Sequence, residues 1–68
     1  FRLIRVEGDS MAPTLDNGDY ILMKTPRSRF KPRSGFVYVV QHERFGRIIK
    51  RLVHTESGLF WFSGDNPN

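Results

Sequence analysis

The sequence predicts an all-β domain: a small coiled antiparallel sheet or partly open barrel with one short helical turn. Aromatic and β-branched residues recur in short runs, and Gly, Pro, Asp and Asn divide those runs from one another. The chain is 68 residues long, enough for one domain and one small core.

The first strand is expected over residues 2–7, with Leu3 and Arg5 on one face and Ile4 and Val6 on the other. Residues 10–15 read as a single helical turn. Ser10 suits its N-cap, and Pro13 sits later than the favoured first position, which keeps the turn short. The turn signal Asp16, Asn17, Gly18, Asp19 leads into a second strand over residues 20–24. Residues 36–41 form a nearly continuous apolar run, so the third strand is expected to be buried on both faces. A polar turn at residues 42–46 joins it to a fourth strand over residues 47–53 as an antiparallel hairpin. The turn Glu56, Ser57, Gly58 then admits a fifth strand over residues 59–63.

With no cysteine and only two histidines, neither a disulfide framework nor a structural zinc site can supplement the core, and packing must hold it. Eleven Lys and Arg against seven Asp and Glu leave a net charge of +4, a balance that attracts phosphates and anionic membrane surfaces. The densest basic stretch, Lys24, Arg27, Arg29, Lys31 and Arg33, is interleaved with Pro26, Ser28, Pro32, Ser34 and Gly35, which is loop composition. It reads equally as a solvated surface and as a functional patch. No run approaches the roughly 18 apolar residues of a spanning helix, and the first residues do not read as a signal peptide. Because the first residue is Phe1, residues 1–68 are expected to be one domain within a longer chain, with an upstream membrane anchor left open. No location follows from the composition.

His42 and His54 are both expected at exposed turns, without the Ser, Asp and His arrangement of a triad. Glu7, Asp9, Asp16 and Asp19 mostly occupy turns, where capping is a carboxylate's ordinary task. A Ser/Lys mechanism needs a hydroxyl on a tight exposed turn and a lysine made to release its proton, which an apolar setting can bring about. Lys50 is the only lysine set inside an apolar strand, among Ile48, Ile49, Leu52 and Val53; Lys24 closes a strand and Lys31 lies in the basic loop. Ser10 follows Gly8 and Asp9 at a strand end, where free backbone N–H groups can also stabilise an oxyanion. The same two residues also suit an edge lysine and a capping serine.

The stretch Val6, Glu7, Gly8, Asp9, Ser10, Met11, Ala12, Pro13, Thr14, Leu15, then Gly18 and Asp19, closely resembles the nucleophile motif of the type I signal peptidases. A related motif, more variable over its Pro-Thr-Leu portion, occurs in the self-cleaving repressor peptidases of the LexA type. Ile49, Lys50, Arg51, Leu52 and Val53 resemble the segment that carries the general base in this superfamily, and Gly64, Asp65, Asn66 resemble the block that follows in both branches.

The resemblance implies a serine endopeptidase that needs no cofactor, with Ser10 as nucleophile and Lys50 as base. It implies that Met11 packs beside Ser10, that the Ser10 N–H serves the oxyanion, that Arg51 supports the fold from the opposite face, and that Asp65 and Asn66 hold their loop near the dyad. Gly8 and Asp9 complete the expected support. Some signal peptidases carry a serine donor where this chain has Gly8. The implied partner is an extended peptide or preprotein, cleaved after small residues and bound by strand addition between the first strand and the strand carrying Lys50. Self-cleavage in the manner of the repressors is one alternative. A non-enzymatic basic β-barrel that binds nucleic acid through the basic loop and aromatics such as Phe45 and Trp61 is the other. Trp61, Phe60 and Phe62 are otherwise expected to be core and rim of the fifth strand.

Overall fold

The computed structural model describes residues 1–67 and is all-β. Its strands are β1 (Arg2–Arg5), β2 (Tyr20–Met23), β3 (Val37–His42), β4 (Gly46–Glu56) and β5 (Leu59–Ser63). They divide between two antiparallel sheets, β1–β2 and β3–β4–β5, rather than forming one coiled sheet, and no barrel closes among the described residues. The break falls at residues 24–36, where prolines and charges replace the alternating apolar pattern that would continue a ladder.

Leu3 opposes Leu22 and Ile4 opposes Ile21 in the first sheet. Pairing continues past the regular strands, since the Val6 N–H donates to Asp19 O (2.7 Å) and the Gly18 N–H to Val6 O (2.8 Å). Strand β4 runs three residues beyond its expected end because β5 pairs with its second half. Residues 46–51 face β3, residues 51–56 face β5, and the register shifts between Leu52 and His54, bulging the strand at Val53. One consequence matters for the site: among the described residues, 46–50 have no strand partner on the side where β5 would lie.

The expected helical turn is a set of turns instead. The Ala12 N–H donates to Asp9 O (3.1 Å) and the Leu15 N–H to Met11 O (2.9 Å), but Pro13 has no N–H with which to extend the series. Ser10 Oγ bonds no described residue and so does not cap it.

The buried core is small, as the chain length requires: Val6 follows β1, Met11 lies in the turn beyond it, and Leu52 sits in β4. Val37, Tyr38, Val39 and Val40 are half-buried rather than buried on both faces, because β3 is an edge strand in a three-stranded sheet. Trp61 belongs to the rim: it is 44 % exposed and leans on His54, with ring centroids 5.0 Å apart.

The histidines differ from expectation. His54 lies inside β4, exposed and 3.5 Å from Glu56, not at a turn. His42 closes β3 and fastens the hairpin, its Nδ1 accepting the N–H groups of Arg44 (3.0 Å) and Phe45 (3.2 Å). Replacing His42 with alanine leaves both amides to water, so chemical denaturation should show a loss of about 1 kcal/mol.

Candidate active site

A cleft of about 410 Å³ separates the two sheets. One wall is β1 and its continuation, residues 4–8, ending at Ser10 and Met11; the other is the half of β4 formed by residues 47–50. Ser10 and Lys50 therefore face one space from different walls. Ser10 is exposed and Lys50 half-buried, and no hydrogen bond joins them. Strand alternation places Lys50 on the same face as Ile48 and Leu52, with Tyr38 directly opposite across the ladder. Arg51 projects from the other face.

Arg51 anchors a polar clamp. Its Nε donates to Asp65 Oδ1 (2.9 Å), its Nη2 to Asp65 Oδ2 (2.7 Å) and its Nη1 to Gly35 O (2.7 Å). Such a two-pronged pair fixes direction as well as distance. Asp65 Oδ2 also accepts the Thr14 hydroxyl (2.6 Å), tying the Ser10 turn to the second sheet. Beside it, the Asn66 N–H donates to Ser10 O (2.9 Å), and Asn66 Nδ2 donates to Asp9 O (2.8 Å). Gly64 passes so close that a Cβ there would lie 3.2 Å from Ser10 Cβ. The segment after β5 thus grips the backbone on both sides of the Ser10 N–H.

That grip is electrostatic in part. Hydrogen bonds from Arg51, then from Thr14, hold the Asp65 carboxyl at about 2 against an ordinary value of 3.8, with burial opposing them. The same Asp65 bond raises Arg51. Because the folded value is depressed, Asp65 adds its full stabilisation above pH 4 and loses it as pH falls through about 2. Thermal unfolding followed across this window should show a steep acid limb that Asp65→Asn flattens.

Gly8 has φ +84° and donates its N–H to Asn17 Oδ1 (2.9 Å), so the turn signal at Asn17 also braces the approach to Ser10. A Cβ at Gly8 would meet nothing within 4 Å, yet this backbone conformation strains any residue with a Cβ, including a serine. The Ser10 N–H donates to no described residue. Among the described residues no group of acidic or histidine side chains could hold a metal.

Sequence reasoning assigned no part to Thr14, Asn17, Gly35 or Gly64. Thr14 and Asn17 stood inside motifs already singled out, but their partners, Asp65 and Gly8, are set by tertiary approach rather than spacing.

Searches of curated proteins and of solved structures give no significant match. A family model does match, over residues 2–68, nearly the entire chain, including the Ser10 turn, the cleft walls and the segment that clamps them. The chain belongs to the Peptidase S24-like family.

Proposed function

We propose that this chain is a serine endopeptidase in which Ser10 is the nucleophile and Lys50 the general base. The observation that carries the reading is the placement of Ser10 and Lys50 on opposite walls of one cleft bounded by two unpaired strand edges. Among the described residues, strand β1 pairs only with β2, and residues 46–50 of β4 pair only with β3. An extended peptide entering between them gains main-chain hydrogen bonds from both edges, which brings its carbonyl carbon to Ser10.

Lys50 Nζ takes the Ser10 hydroxyl proton as Oγ bonds to that carbon. The developing oxyanion is met by the Ser10 N–H. Collapse of the tetrahedral species breaks the C–N bond, and Lys50 returns the proton to the leaving amine. Water, deprotonated by Lys50, then releases the acyl group and restores the Ser10 hydroxyl. The separation of the pair in the free protein is compatible with this, because catalytic hydrogen bonds often tighten only with substrate bound.

The long nucleophile motif supports a leader-type peptide with small residues before the scissile bond as substrate. The family match supports a second reading, cleavage of the same polypeptide in cis. A serine-directed acylating probe should label Ser10 alone, as read by peptide mapping, with labelling lost in Ser10→Ala. Labelling that persists in that variant, or none in the parent, refutes the nucleophile. Cleavage whose fractional rate is independent of protein concentration distinguishes action in cis from action on a separate peptide.

A further inference from the structure

We infer that the loop between β2 and β3, together with the outer end of β3, forms a binding groove for single-stranded nucleic acid. From Tyr20 to His42 the chain carries no Asp or Glu, while Lys24, Arg27, Arg29, Lys31 and Arg33 all fall in this interval. None of these cations forms an ion pair among the described residues, where the pairs are Arg5 with Glu7, Arg51 with Asp65 and His54 with Glu56. The positive field over the loop is therefore uncompensated, the condition for attracting a polyanion.

The loop is shaped as well as charged. A recess of about 620 Å³ is lined by Arg29, Lys31 and Arg33 together with Phe30, Phe36 and Tyr38. The Tyr38 hydroxyl accepts the Arg33 N–H at 2.9 Å, pinning the end of the loop to β3. Phe30 meets Tyr38 edge-on at 5.7 Å, and Tyr38 meets Phe62 edge-on at 6.5 Å, so the ring at the floor is held from both sides. Phe30 and Phe36 remain 46 % and 59 % exposed.

Rings open to solvent beside backbone-tracking cations are the two components of sequence-tolerant single-strand recognition: cations take phosphates and rings take unstacked bases. A duplex presents its bases only at their edges and cannot use the rings. A bilayer is met by a protruding apolar surface, whereas these rings line a recess. An acidic peptide would use the cations but has no planar face to give Phe30 and Phe36. The groove lies outside the cleft that holds Ser10 and Lys50, and the inference does not depend on the peptidase reading.

The test is fluorescence anisotropy with a labelled oligothymidylate of about a dozen nucleotides and with a duplex of the same length. The single strand should bind more tightly, and log affinity should fall against log salt with a slope of about −2, three phosphate contacts at roughly −0.7 each. Arg29→Ala, Lys31→Ala and Arg33→Ala should each make that slope shallower by about 0.7. Phe36→Ala should weaken single-strand binding roughly five- to a hundredfold with the slope unchanged. Ser10→Ala should bind like the parent. Circular dichroism confirms that each variant folds, and Phe36→Leu, which keeps a large apolar side chain but removes the ring, serves as a second probe. The inference is overturned by equal or tighter binding of the duplex, by indifference to both Phe36 changes, or by adsorption to phosphatidylserine vesicles without oligonucleotide binding.

Discussion

Lys50→Met is expected to lower peptide hydrolysis by three to four orders of magnitude while leaving the thermal midpoint unchanged or raised. The change keeps the length of an apolar stem on a face shared with Ile48 and Leu52, so strand β4 and its pairing with Tyr38 should survive. What it removes is the amine that must accept the Ser10 proton, and residues acting as one catalytic unit fail together when either is removed. Lys50→Arg separates chemistry from charge. A guanidinium stays protonated at any working pH, so it preserves a cation in the cleft and cannot be a base. Equal inactivity of the methionine and arginine variants identifies Lys50 as the proton acceptor. Activity retained by Lys50→Arg would assign the residue a purely electrostatic part and overturn the mechanism. The probe-labelling rate of Ser10 supplies the same comparison without needing the natural substrate.

The oxyanion side of the site makes a smaller demand. With φ +84° at Gly8, a serine there would gain a donor only at the expense of backbone strain, so the proposed mechanism assigns the oxyanion to the Ser10 N–H. The N–H groups of Gly8 and Ser10 thus differ. Gly8 uses its own to hold Asn17, whereas that of Ser10 donates to no described residue.

Much of this was legible in the residues because strand position and side-chain direction are local properties. Runs such as residues 59–63, bounded by turn signals, became strands where the pattern put them, and the two-residue period correctly sent Lys50 and Arg51 to opposite faces. The split into two sheets was not legible, since it depends on which strand edges meet rather than on any one run. The continuation of β4 through His54 to Glu56 was hidden for the same reason: those residues are polar and exposed, and only pairing with Leu59, Phe60 and Trp61 makes them strand. Near-continuous apolar character in β3 suggested burial on both faces, but with three buried side chains among the described residues the core is too small to cover an edge strand. The nucleophile turn shows the boundary most clearly. Its motif singled out Ser10, while the bonds that orient it come from Asp65 and Asn66, more than fifty residues away.

Gly64→Ala tests that orientation directly, and it should slow the reaction of Ser10 even in protein that remains folded. A methyl group at Gly64 would press on the Ser10 carbonyl, a backbone atom that cannot rotate aside, and would stand 3.2 Å from Ser10 Cβ. Gly64 has no positive φ, so the cost arises from crowding and not from its own backbone conformation. Relief requires the Ser10 turn and the segment after β5 to part, which stretches the bond from the Asn66 N–H to Ser10 O (2.9 Å). Overpacking of this kind costs about 1–3 kcal/mol, visible as a lower denaturation midpoint. The Arg51 to Asp65 pair, on the far side of the clamp, should hold the fold together meanwhile. A shift of about 1 Å in a reacting group can cost a hundredfold in rate, so the labelling rate of Ser10 should fall by about that factor in protein that remains folded. Asn66→Ala, which removes the side-chain bond to Asp9 O and keeps the backbone bond to Ser10, should lose less. If the two variants instead lose rate equally, crowding at Ser10 is not what sets its position, and the clamp acts through the Asp9 carbonyl alone.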